Sequence, residues 1–293
     1  DGAGSIRIPA SCCGLVGLKA SRGRIKDKEV PSYLPANILH DGVVTRSVRD
    51  TWAFHAEIEK NIPATEFPPI GDISESFPKN LKIAVLTENC LGEDSSAELV
   101  QATHDVARLC ESLGHEVEMI SNPFYKKFDE DFWLLWAHFG FLIRYSVGKE
   151  LSSKFDHTQL EQWPKYLISR HWRNIHKVPV AFWRLRRFVS QYETFMQNFD
   201  ILLTPTLGTT VPKLGFFGPE VSGQEHWERI NDFLPFTKYQ NISGAPAITL
   251  PCGTDLKGLP IGIQLSSRLG EDRLLLKLSL QLEQNSNWKS LNK

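Results

Sequence analysis

A strand–helix–strand pattern across residues 81–120 constrains the fold of this chain more than any other feature of its sequence. Residues 81–86, Leu-Lys-Ile-Ala-Val-Leu, have the composition of a short buried strand, and residues 116–120 form a second one. Apolar residues at helical spacing lie between the two strands, and Gly114 ends that helix. The candidate N-caps of the helix are Asp94, Ser95 and Ser96. Because strands joined in this way run parallel, we predict a βαβ unit.

The last third of the chain returns to strands and closes with an amphipathic helix. Strands are predicted at residues 200–203, 247–250 and 261–265. The closing helix is predicted at residues 272–282. Strands that alternate with helices favour a layered α/β domain. The 293 residues are enough to bury a large core, and we predict a single domain over residues 1–293.

Helices are also predicted before and after the first strand pair. One begins near Thr45 or Ser47, which are alternative N-caps, and carries an apolar stripe of Val48, Trp52, Phe54 and Ile58. A proline-rich connection over residues 63–78 follows it. Residues 128–198 predict a helical insertion within the domain, and they hold five of the eight tryptophans. The aromatic side chains of this insertion either pack in the core or line a pocket. The side chains in question are Trp133, Trp136, Phe139, Phe141 and Tyr145.

The residues with the clearest chemistry are the first seven, Asp-Gly-Ala-Gly-Ser-Ile-Arg. A serine hydroxyl becomes a nucleophile when a base takes its proton, and the oxyanion that forms next needs preorganised donors. Gly2, Ala3 and Gly4 have almost no side chain, so a carbonyl could approach the backbone N–H groups before Ser5. That arrangement predicts a nucleophile beside an oxyanion hole.

Other interpretations of the same residues are an ordinary turn and two known motifs. A Gly-x-Gly-Ser stretch occurs most often as a plain turn. The Gly-x-Ser-x-Gly elbow of α/β-hydrolases does not fit, because position 7 is arginine. The dinucleotide-binding fingerprint does not fit either, since its third glycine is absent.

Several segments together resemble the amidase signature family. The core motif of that family is similar to residues 1–10 and to the continuation Cys-Gly-Leu-Val-Gly-Leu-Lys at 13–19. Further similar blocks, in the family order, lie at residues 45–50, 200–206, 241–252 and 258–264. The resemblance covers both ends of the chain and leaves the aromatic middle unmatched. It implies a layered α/β/α fold with a mixed central sheet flanked by helices.

The resemblance also implies roles for single residues. Ser5 takes the position of the nucleophile, and the N–H groups of Gly2, Ala3, Gly4 and Ser5 take that of the oxyanion hole. Arg7 matches a family arginine. A guanidinium can pair bidentately with a carboxylate such as Asp1, so a structural role near the site is favoured over substrate contact.

The activating groups of the family precede the nucleophile in sequence. They are a second serine, held by a cis peptide bond, and a lysine base, so the resemblance places both upstream of Asp1. We therefore expect residues 1–293 to be the C-terminal part of a longer enzyme and to be inactive alone. Lys19 occupies a different family position, and none of the nine histidines lies in a recognisable Ser-His-Asp context.

Composition narrows the classes of partner. The 33 basic and 34 acidic residues give a net charge of -1, which disfavours nucleic acid and anionic membranes. No run of about 18 apolar residues occurs. The five cysteines are odd in number and lack ligand spacing, so a disulfide framework and a zinc site are disfavoured and a cytoplasmic setting is expected.

The function that these observations favour is hydrolysis of an apolar or aryl carboxamide through an acyl-enzyme on Ser5. The expected ligand is a small-molecule amide, and no cofactor or metal is expected. A homodimer is an open alternative for the assembly. Two alternatives remain. One is a binding or scaffold protein that kept the fold without the chemistry, and the other is the amidase subunit of a glutaminyl-tRNA amidotransferase.

Overall fold

The computed structural model describes residues 1–25, 34–61, 66–73, 76–148 and 152–286. Part of the predicted proline-rich connection, including Pro63, lies outside the described residues. The strands are β1 (Val16–Lys19), β2 (Val44–Thr45), β3 (Lys82–Val85), β4 (Glu116–Met119), β5 (Ile201–Pro205), β6 (Ala247–Thr254) and β7 (Pro260–Ser266). The α-helices are α1 (Arg7–Cys13), α2 (Val48–Asn61), α3 (Ala97–Ser112), α4 (Phe128–Leu142), α5 (Gln162–Asn174), α6 (Val178–Met196), α7 (Gly223–Phe233), α8 (Lys238–Ser243) and α9 (Asp272–Asn285).

The strands form one mixed sheet in the order β2-β1-β6-β7-β5-β3-β4. The predicted βαβ unit is confirmed, because β3 and β4 pair in parallel with Ile83 opposite Val117. Strand β5 joins the other side of β3, also in parallel. The remaining pairs are antiparallel, including the β6–β7 hairpin. The predicted mixed α/β sheet is therefore present.

Two hydrophobic cores lie on opposite faces of the sheet. Alternate residues of a strand point to opposite faces. On β3, Ala84 belongs to the core under the aromatic helices, whereas Ile83 and Val85 belong to the core under α3 and α9. The arrangement is helix layer, sheet, helix layer, as expected.

The helix starts agree with the sequence in part. Ser47 caps α2, since its hydroxyl accepts a hydrogen bond from the Asp50 N–H at 3.1 Å. The predicted apolar stripe of α2 is only partly right, because Val48 is buried while Trp52, Phe54 and Ile58 are half-buried. The fully buried partners of Val48 on the helix are Thr51 and His55. Polar side chains therefore occupy much of the face that the pattern assigned to apolar ones.

Helix α1 was not predicted from the sequence. It lies across β1, β6 and β7, and Gly14 ends it with a φ of 64°. Glycines allow the close approach of this helix to the sheet. A β-carbon on Gly262 would lie 2.5 Å from Ser11 Oγ, and one on Gly17 would lie 2.8 Å from Ala10 Cβ. The helix that follows Ser5 is thereby fixed against the sheet.

The middle of the chain is helical in its described part, as predicted. A π-helical turn (Ile143–Val147) extends α4, and 3₁₀ turns (His157–Gln159 and Ile175–Lys177) flank α5. Residues 149–151 lie outside the described residues. The tryptophans divide by environment, with Trp133 buried and Trp172 and Trp183 exposed. The aromatic residues are therefore partly core and partly surface.

Candidate active site

The candidate site is the loop formed by residues 1–6, directly before α1. Ser5 is exposed, whereas Gly2 and Gly4 on either side of Ala3 are buried. Gly4 has a φ of 127°, a conformation that residues with a side chain rarely adopt. The loop therefore presents one hydroxyl at the surface of a tightly packed backbone.

Four consecutive backbone N–H groups of this loop have no acceptor among the residues that the structure describes. Within the described residues, the N–H groups of Gly2, Ala3, Gly4 and Ser5 make no hydrogen bond, while the next N–H, of Ile6, donates to Asp1 Oδ2 at 3.2 Å. Buried backbone donors are almost always paired in folded proteins. Such a group of free donors beside a hydroxyl is what an oxyanion hole needs.

An ion pair between Asp1 and Arg7 closes the loop. The guanidinium Nη2 and Nε lie 2.9 Å and 3.1 Å from the two carboxylate oxygens, and both side chains are fully buried. Asn241 in α8 donates to Oδ1 of Asp1 at 2.9 Å and accepts from Arg7 at 2.6 Å. The bidentate pair therefore connects the loop to α8. The Arg7 guanidinium lies within this buried network.

The other side of the guanidinium reaches the sheet. Arg7 Nη1 donates to Gln264 of β7 at 2.7 Å and to Gln240 of α8 at 3.2 Å. Burial lowers the pKa of Arg7 to about 9, and the group stays cationic at neutral pH. The charge is compensated by Asp1 and by side-chain oxygens, so this buried cation is fully satisfied.

Thr237 holds the loop from the opposite side. This buried residue, directly before α8, donates its hydroxyl to the Ala3 carbonyl at 2.5 Å. A β-carbon on Gly4 would lie 2.7 Å from the same hydroxyl. Sequence analysis missed Thr237, because the recognised block began at Asn241 and a single threonine carries no periodic signal.

The aromatic helix α4 also contacts the loop. A β-carbon on Gly2 would lie 2.9 Å from Cη2 of Trp136, a half-buried ring. Trp136 stacks on Phe132 with ring centres 6.1 Å apart. One of the five candidate rings of the sequence analysis therefore lies directly beside the candidate oxyanion hole.

A buried lysine lies next to Thr237 and was also missed. Nζ of Lys238 is 2.8 Å from Oδ1 of Asp129, an ion-pair distance without hydrogen-bond alignment, and 5.3 Å from the centre of the Trp133 ring. A lysine within the largely apolar stretch 233–242 was the signal that could have found it. Its position links α8 to α4 behind the site.

Within the described residues, no base contacts Ser5. The hydroxyl makes no hydrogen bond to protein. Lys19 is buried in β1 and donates to the Ala20 carbonyl at 2.8 Å. No three His, Cys, Asp or Glu side chains of the described ranges come close enough to hold a metal ion. Among the described residues, the geometry therefore supplies a hydroxyl and backbone donors without a neighbouring base.

Comparison with known proteins decides the family. A family model described as Amidase matches residues 1–276. The chain belongs to the Amidase family. The match runs through the aromatic helices, so the expectation that the middle of the chain is unmatched was wrong.

Relatives of this amidase chain match over nearly its whole length. AmiC of Mycobacterium tuberculosis is 39% identical over 289 residues, which are 98% of this chain and 61% of AmiC. The 6-aminohexanoate-cyclic-dimer hydrolase of Paenarthrobacter ureafaciens is 29% identical over 313 residues, 98% of this chain and 62% of that enzyme. The amidase chain thus spans about three-fifths of the length of the curated relatives it matches.

The fold of the amidase chain agrees with a solved relative. The structure of 6-aminohexanoate cyclic dimer hydrolase complexed with substrate superposes with a TM-score of 0.81 at 28% identity, covering 98% of this chain and 64% of that one. The predicted amidase signature fold is confirmed. Among the described helices, none combines the length and apolar composition that a bilayer crossing needs.

Proposed function

We propose that this chain provides the nucleophile and the oxyanion hole of a serine amidohydrolase that cleaves carboxamide C–N bonds. The observation that carries the proposal is the exposed Ser5 hydroxyl at the end of four N–H groups without a protein acceptor. Membership of the Amidase family supports the same reaction.

In the proposed reaction, Ser5 Oγ attacks the carbonyl carbon of the amide while a base removes the hydroxyl proton. The carbonyl oxygen becomes an oxyanion and accepts hydrogen bonds from the N–H groups of Gly2 to Ser5. The C–N bond then breaks, and the nitrogen leaves as an amine with the proton returned from the base. Water attacks the resulting ester and releases the carboxylate, which regenerates the hydroxyl.

The braces around the loop support preorganisation of this site. Donors that already point at one position need no rearrangement when charge develops, which is where most of their effect on rate arises. The Asp1–Arg7 pair and the Thr237 hydroxyl hold the backbone from two sides. We propose positioning roles for these three residues and no direct contact with the reacting atoms.

The substrate class that we propose is an amide with an apolar or aryl group. Trp136 packs against Gly2 and leaves part of its ring exposed, so an apolar substituent near the reacting carbonyl would find an aromatic surface. The family resemblance assigns the base to a lysine acting through a second serine, and we propose that these groups complete the site in the whole protein.

A non-catalytic binding protein of the same fold is the second candidate. The observation in its favour is that, in the described residues, nothing activates the Ser5 hydroxyl. Such a protein would keep the Ser5 loop but would not form a covalent intermediate.

Active-site labelling distinguishes the two candidates. A fluorophosphonate probe reacts with activated serines, and we expect it to label the full-length protein at Ser5, as read by mass spectrometry. Ser5→Ala should abolish labelling, and Ser190→Ala, which removes an exposed serine on α6, should not. Absence of labelling in folded full-length protein would support the binding protein instead.

A further inference from the structure

A cavity lies among the aromatic helices, away from the Ser5 loop. It has a volume of about 620 Å³ and is lined by residues of α4, α5, α6 and α7 and of the 3₁₀ turn before α6. That size is within the range of about 300–1,000 Å³ typical of small-molecule sites. The loop of residues 1–6 contributes no residue to its lining. The cavity is therefore distinct from the candidate active site.

Part of the cavity lining is apolar, formed by Trp227, Leu134 and the exposed Val180. The Trp227 ring packs at a tilt against Trp133, with ring centres 5.9 Å apart. Trp133 is itself buried and is fixed by a 2.7 Å hydrogen bond from its indole N–H to Asn231, so it supports Trp227 from the core. A ring held in this way offers a preformed surface for the apolar body of a ligand.

The cavity has an excess of positive charge. Four cationic side chains line it against two carboxylates, which leaves two positive charges uncompensated. Arg184 and Asp131 neutralise each other through a bidentate pair, with N–O distances of 2.5 Å and 2.6 Å. The Arg184 side chain is one-third exposed.

The remaining cations are available to a ligand. Within the part of the chain that the structure describes, Lys127 and Lys177 form no ion pair, and both are exposed at the rim. Arg170 lies over the Trp227 ring, with its guanidinium carbon 3.7 Å from the ring centre, and donates to the Tyr166 hydroxyl at 3.3 Å. Among the described residues, no carboxylate pairs with it. Glu130 is the one lining carboxylate outside the Arg184 pair.

We propose that this cavity binds an amphipathic organic anion, a carboxylate whose apolar body contacts Trp227, Leu134 and Val180 and whose charged end meets Arg170, Lys127 and Lys177. A concave site of this volume suits a small ligand, whereas nucleic acid would need an extended basic surface. Arg170 is held in place by its stacking on Trp227, so its fork is preorganised for a carboxylate.

Octanoate is the probe that tests this assignment in the full-length protein. We expect it to change the tryptophan emission and to bind more tightly at low ionic strength, since the rim charges are screened by salt. Acetate, inorganic phosphate and octylammonium should each bind at least about tenfold more weakly, because each lacks the apolar body or the negative charge.

Variants locate the site. The double variant Arg170→Gln with Lys177→Gln should weaken octanoate binding about tenfold, whereas Lys277→Gln, which changes an exposed lysine on α9, should not. A second variant, Val180→Asp, places a negative charge on the exposed part of the wall and should have the same effect. Wild-type affinity in both cavity variants, or equal binding of octanoate and phosphate, would overturn the assignment. Fluorophosphonate labelling of Ser5 is independent of either result.

Discussion

At the scale of single residues, the candidate site depends on short contacts that fix a backbone and leave its donors free. The Ser5 loop is held by a carboxylate–guanidinium pair on one side and by one hydroxyl on the other. None of these side chains needs to touch a substrate. In the proposed reaction, they act only through the position of the four N–H groups.

The Thr237 hydroxyl offers the cleanest test at this scale. Thr237→Val keeps the shape of the side chain but leaves the Ala3 carbonyl unpaired, so the loop loses one brace. A hydrogen bond of this kind contributes about 1 kcal/mol, so we expect Ser5 to be labelled by a fluorophosphonate roughly fivefold more slowly.

Two control variants define the result for Thr237. Thr237→Ser should restore the labelling rate, because the hydroxyl is retained. Thr103→Val removes a buried threonine that donates to a carbonyl within α3, at 2.8 Å from Leu99, and should leave the rate unchanged. A rate for Thr237→Val equal to that of the wild type would show that the hydroxyl does not position the loop.

At the scale of elements, the sequence predicted helices and strands that depend on local patterns and missed those that depend on contacts between residues far apart in the chain. The βαβ unit was predicted because its strands, its crossover helix and the stop at Gly114 are local patterns. Strand β1 and helix α1 were missed, because they are stabilised by contacts with β6 and β7 more than 200 residues away. Neither element shows a hydrophobic period of its own, and only long-range packing defines it.

Helix α2 carries a buried histidine that makes stability depend on pH. His55 is 1% exposed, and burial lowers its pKa to about 4, with Asp272 raising it and Arg24 lowering it. The unfolded chain binds this proton near pH 6.5, whereas the folded chain binds it only near pH 4. Lowering the pH from 7 to 5 therefore favours the unfolded state, by about 2 kcal/mol for this group.

Urea denaturation at both pH values measures that contribution. Burial also lowers the pKa of His115, His138, His171 and His226, so the wild type includes several such groups. We expect the loss of stability between pH 7 and 5 to shrink by about 2 kcal/mol in His55→Leu and to stay unchanged in His176→Leu, an exposed position. Equal losses in the wild type and both variants would contradict a neutral buried His55.

At the scale of the whole molecule, a buried cluster of charged side chains joins the segment after β1 to the C-terminal helix α9. Arg24 pairs with Asp272 at 2.7 Å and also with Glu59, which connects the segment after β1 to α2 and α9. Ser21 donates its hydroxyl to Asp272 at 2.5 Å. The segment after β1 is thus fixed by the far end of the chain.

Removal of one partner should destabilise the domain strongly. Asp272→Ala removes one ion-pair partner of the buried Arg24. Breaking such a buried pair lowers the free energy of unfolding by about 3–5 kcal/mol. We expect a large shift of the urea midpoint, compared with little change in Asp105→Ala, which removes an exposed helix pair with Arg108. Similar midpoints for the two variants would show that the cluster does not stabilise the fold.

The candidate site was likewise predictable only in its local part. Ser5, its glycines and the Asp1–Arg7 pair lie within seven residues, so a motif describes them. Thr237 and Trp136 reach the loop from far along the chain, and their contacts arise from the packing of α8 and α4 on one face of the sheet. Spacing alone contains no information on such contacts.

The central claim is that the four free N–H groups beside Ser5 receive the negative charge of the reaction. The most direct measurement is a crystal structure of the full-length protein after reaction with a fluorophosphonate. We predict a phosphorus bond to Ser5 Oγ, with the phosphoryl oxygen about 3 Å from at least two of the N–H groups of Gly2, Ala3, Gly4 and Ser5. An adduct on another residue, or a phosphoryl oxygen that points away from all four groups, would contradict the account.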